Sequence, residues 1–78
     1  MLGFVMTDAR LSELDVVALL ADVPAAGLAR GQVGTVVELS NLQTALVEFS
    51  DDEGRAYALV PCSPGDLLVL HYTPEAAI

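Results

Sequence analysis

Three observations predict an all-β fold. Five runs of about five apolar or β-branched residues read as strands, turn signals recur about every 8 to 12 residues through the second half, and 78 residues make one small domain only. The expected architecture is a small five-stranded antiparallel barrel, closed or half-closed, with a 3-10 turn before its last strand.

The elements follow in chain order. Val16–Val17–Ala18–Leu19–Leu20 is β-branched at its start and is stopped by Pro24 a few residues on, which favours a strand. Ser12 ahead of Glu13 and Asp15 is also a capping pattern, so a helix over residues 12–20 packed on a four-stranded sheet is the competing fold. From Asp22 to Gly34 the chain turns to Pro24, Gly27, Gly31 and Gly34 among small residues, the composition of a surface loop closed by a turn at Gly31–Gln32–Val33–Gly34. Thr35–Leu39 and Ala45–Phe49 are then a hairpin across Ser40–Thr44. Asp51–Asp52–Glu53–Gly54 is the next turn, with Gly54 free to take positive φ, and Arg55–Val60 pairs back as a third strand. Pro61 and Pro64 end that strand, Ser63–Pro64–Gly65–Asp66 makes one tight turn, and Leu67–Tyr72 is the last strand. Strand, long loop, three-strand meander, one-turn 3-10 connection and strand is the SH3-like arrangement. Residues 13–73 are the expected domain, with an N-terminal arm over 1–12 and a C-terminal tail over 74–78.

Charge narrows the partners. The chain carries 11 Asp and Glu against 3 Arg and no Lys, a net charge of −8. That is the wrong sign for holding a phosphate backbone, so nucleic acid is not an expected partner. Most of the excess sits after residue 33, where seven acids face only Arg55. No apolar run approaches the roughly 18 residues of a membrane span, and the apolar stretch Met1–Met6 lacks the basic flank and length of a signal peptide. A single Cys62 cannot make an internal disulfide. These features fit a bacterial cytoplasm.

A family resemblance rests on particular residues. The run Leu14–Leu19, then Pro24, Gly27–Leu28 and Gly31–Glu38, then Val47–Phe49 and Asp52–Arg55, resembles the small bacterial proteins called domain of unknown function 4926. The resemblance covers residues 13 to about 71 and implies one compact domain with no established activity. Gly31–Val36 is also similar to the start of the KOW motif of transcription and ribosomal factors, but the basic residues with which such modules hold RNA are missing. A KOW-like RNA- or ribosome-associated module is the alternative function.

Strict alternation in the hairpin places Val37 and Leu39 on one face with Ala45, Val47 and Phe49, leaving Val36, Glu38, Leu46 and Glu48 on the other. That second face, half apolar and half acidic, reads either as a solvated barrel exterior with Val36 and Leu46 paired across the strands, or as a docking surface. In the docking reading the apolar residues supply burial, while the carboxylates, with Asp51, Asp52 and Glu53 at the rim, select a basic protein partner. A second copy of the chain is the other occupant the same area admits.

The remaining chemistry points away from catalysis and cofactors. Asp51–Gly54 lacks the alternating ligands and terminal Glu of a calcium loop. Glu38 and Glu48 have no cleft in so short a chain to hold a sugar between them. Cys62 and His71 lack an orienting third group and fall short of a zinc set. Gly27, Gly31 and Gly34 match no phosphate-binding loop. A non-enzymatic interaction module without cofactor or metal is the expectation.

Overall fold

A computed structural model describes residues 11–41 and 43–74. Residues 1–10 of the arm expected over 1–12, residues 75–78 of the tail expected over 74–78, and Leu42 lie outside the described residues. The chain forms β1 (Val16–Leu19), a 3-10 turn at Pro24–Ala26, β2 (Val33–Asn41), β3 (Thr44–Ser50), β4 (Ala56–Cys62), a second 3-10 turn at Pro64–Asp66, and β5 (Leu67–Val69). All neighbours pair antiparallel in the order β4-β3-β2-β1-β5. This is the SH3-like succession of elements, including the turn before the last strand. Among the described residues the sheet ends at β4 on one side and β5 on the other, and the barrel is open between them.

No helix replaces β1. Leu14 sits at φ 75°, a left-handed conformation that breaks any helical path, and Ser12 donates its backbone N–H to the Asp15 carboxylate at 2.8 Å to close a turn instead. Pairing with β2 begins at once, through Leu14 N–H to Val36 O (2.6 Å) and Val36 N–H to Asp15 O (2.9 Å).

The long loop is held from both ends. Val23 and Leu28 exchange backbone hydrogen bonds of 2.9 and 3.1 Å around the first 3-10 turn, which drops Leu28 onto the core. The closing turn falls earlier than expected, with Gln32 N–H on Ala29 O (3.1 Å), because Val33 and Gly34 already pair with Ala18 and Val17.

Inward-facing residues make rows across the strands. Val69, Val17, Gly34, Phe49 and Ala58 form one row, and Val36, Val47 and Val60 the next. Leu39, Ala45 and Cys62 make a third. Val17, Val36, Ala45, Val47 and Phe49 are fully buried, with Leu19, Leu28, Cys62 and Leu67 completing the core. Gly34, the second residue of β2, stands there for want of space. A Cβ there would stand 2.7 Å from Val47 Cγ1, 2.9 Å from the Glu48 carbonyl oxygen and 2.9 Å from Phe49 Cδ2.

The alternation read across the hairpin is corrected in β2. Val36 pairs with Val47, but the next pair is Glu38 with Leu46, so β2 spends one extra residue, Val37, in a β-bulge. Val36 is therefore a core residue and Val37 an exposed one, the reverse of their expected places. Val36 and Leu46 are not a cross-strand pair. Leu39, beyond the bulge, faces Ala45 as expected.

Candidate functional site

The outward face of the sheet carries three rows. Val16, Thr35, Glu48 and Leu59 lie side by side across β1, β2, β3 and β4. Glu38, Leu46 and Pro61 form the neighbouring row towards the tip of the β2–β3 hairpin. At the other end Leu68, Ala18 and Val33 cross β5, β1 and β2 without a charge. The structure thus brings Glu38, Leu46 and Glu48 together as expected and removes Val36 from them. Their apolar neighbours are Leu59, 57% exposed, and Pro61.

The rim is a turn that satisfies itself. Asp51 Oδ1 accepts the backbone N–H groups of Glu53 and Arg55, both at 2.9 Å, and Gly54 takes φ 85° to let the chain reverse. The Arg55 guanidinium reaches Glu53 Oε1 at 2.7 Å and Asp51 Oδ2 at 3.6 Å. Both ion pairs are exposed and hold the turn weakly. Arg55 cancels one of the three charges of Asp51, Asp52 and Glu53, so the rim adds two negative charges to those of Glu38 and Glu48.

The sequence reading missed Leu59, Tyr57, Val33 and Leu68, each about half exposed. β4 runs on through Pro61 to Cys62, past the end expected at Val60, and a proline inside a strand marks an edge strand. Tyr57 is the extra residue of a bulge in β4, between the pairs Phe49–Ala58 and Ser50–Ala56, and its Oη accepts a hydrogen bond of 2.9 Å from Gln32 Nε2. That bond ties the end of the long loop to the start of β4.

Cys62 is buried at the end of β4, and burial, seconded by the Asp66 charge, pushes its thiol above the ordinary range. That is the opposite of an activated nucleophile. Among the described residues, no three of His, Cys, Asp and Glu gather into a metal-holding group, and no helix is long and apolar enough to cross a membrane.

Fold and face together define a class: small all-β proteins with an SH3-like, half-open sheet and an acidic outer surface. Within it the chain belongs to the family described as Domain of unknown function (DUF4926), whose model matches residues 13–69. Compared with curated proteins and with solved structures, the chain finds no match.

Proposed function

We propose that the protein is a non-enzymatic interaction module of the cytoplasm that binds a basic protein through the outer face of β2, β3 and β4. The observation that carries this reading is the adjacency of exposed Glu38 and half-buried Leu46 and Glu48 on one outward face, beside Leu59 and Pro61 and next to the Asp51–Glu53 turn. Leu46, Leu59 and Pro61 offer apolar area to bury. The carboxylates around them speed encounter with a cationic surface and reject an anionic one. A net charge of −8 adds a long-range field of the same sign. An antitoxin or immunity partner covering the basic active site of a toxin has this chemistry, as does an accessory subunit of a larger complex.

The test is retention of the natural partner by wild type and by Glu38→Lys/Glu48→Lys, with circular dichroism and thermal melting showing both folded. Loss of the partner with the fold intact is expected. Equal retention would remove this face from the function.

A further inference from the structure

The edge of β4 has a usable slot. Pro61 has no N–H to give β3, so its place opposite Leu46 in an antiparallel ladder is an outward one, with the bonds to β3 made by the residues on either side. Leu59, two residues back, has the same phase and turns both its N–H and its C=O away from β3 to the open side of the sheet. The bulge at Tyr57 and the proline at 61 bracket this slot and fix it on Leu59. Half-buried Ala58 and Val60 flank it on the inner face, where a neighbouring strand would cover them.

The charges around the slot select its occupant. β4 from Ala56 to Cys62 has no charged residue, yet Glu48 lies directly beside Leu59 and the Asp51–Glu53 turn leads into the strand. Two copies meeting edge to edge would bring these acids together in chains that each carry −8. Resting on the acidic-face reading, we infer that β4 takes an extended segment of a basic protein as an added antiparallel strand, with a Lys or Arg opposite Leu59. Strands lie about 4.8 Å apart, so that residue stands about 10 Å from Glu48. Its aliphatic stem crosses the exposed Leu59 side chain and its cation reaches the carboxylate. Apolar residues on alternate positions of the same segment face inward over Ala58 and Val60.

Strand addition makes a demand on the ligand backbone that face docking does not. The residue opposite Leu59 must offer its own N–H, whereas its neighbours' N–H groups point to solvent. The probes are a synthetic peptide of alternating Lys and Val, the same peptide N-methylated at every Lys, and the same peptide N-methylated at every Val, all of equal charge. Binding to the full chain is read by fluorescence anisotropy at low salt. Methylation at Lys is expected to weaken binding about tenfold or more, the worth of one or two hydrogen bonds, and methylation at Val to leave it near the parent value. Equal binding by the two methylated peptides, or no binding by the parent, overturns strand addition. Where the methylated peptides bind equally but Glu48→Gln still weakens them, the acidic face stands and only the edge falls.

Discussion

Along β3 the buried residues are Ala45, Val47 and Phe49, every second position without interruption. Along β2, which pairs with it, burial falls on Gly34 and Val36, passes over Val37 and Glu38, and resumes in part at Leu39. Both strands are rich in β-branched and apolar residues and both line the same core. The difference is the extra residue Val37 in β2, which moves everything before it to the opposite face; a further shift of register follows between Leu39 and Asn41. Parity is therefore a reliable guide along an unbroken strand, and a bulge resets it.

Placing a charge at each of two adjacent positions in β2 gives the sharpest break of that comparison. Val36→Asp should prevent folding, since an unpaired carboxylate in the core costs about 4 kcal/mol or more, while Val37→Asp should lie within about 1 kcal/mol of wild type. Urea unfolding followed by circular dichroism decides it, and the reverse result would restore the unbulged register. Next in size, Gly34→Ala should cost about 2 kcal/mol, because the methyl would press on the Glu48 carbonyl and on two buried side chains that β3 holds in place. The same denaturation experiment reads this loss.

Smaller effects concern the ends of strands. Leu14 is 76% exposed and held at φ 75°, so its side chain contributes little burial to offset an unfavourable backbone. Leu14→Gly should raise stability by about 1 kcal/mol, read as an upward shift in melting temperature. At the far end, Cys62 should react slowly with a thiol reagent at pH 8 in the native chain and quickly once unfolded. With its folded pKa raised, the thiol's contribution to stability is full below the ordinary thiol range and is lost as pH rises through the raised value. A Cys62→Ser variant should flatten that part of the stability profile above pH 8.

Much of this was legible without coordinates. Turn chemistry at Asp51–Gly54 and Pro64–Asp66 is local: a carboxylate that closes on its own backbone, a glycine at positive φ and a proline that starts a 3-10 turn act within four residues. Strand existence is nearly as local, and the choice of strand over helix near Val16 follows from β-branching. The place of Val36 was not legible, because the bulge that buries it is set by how β2 meets β3, and Val36, Val37 and Leu39 are equally apolar. Nor was the exposure of Tyr57 and Leu59, since the faces of β4 depend on its register against a partner strand.

Composition and short-range pattern determined the number of strands, the order in which they succeed one another and the sign of the surface charge, while the 3-10 turn at Pro24–Ala26 was read only as loop. Only the tertiary structure decided which residues share a face, that β4 and β5 leave the sheet open, and that Gly34 makes room for Phe49. Turns and propensities are energies of neighbouring residues and are written in the sequence. Register and close approach are energies of strands distant in the chain, and they exist only once those strands have met.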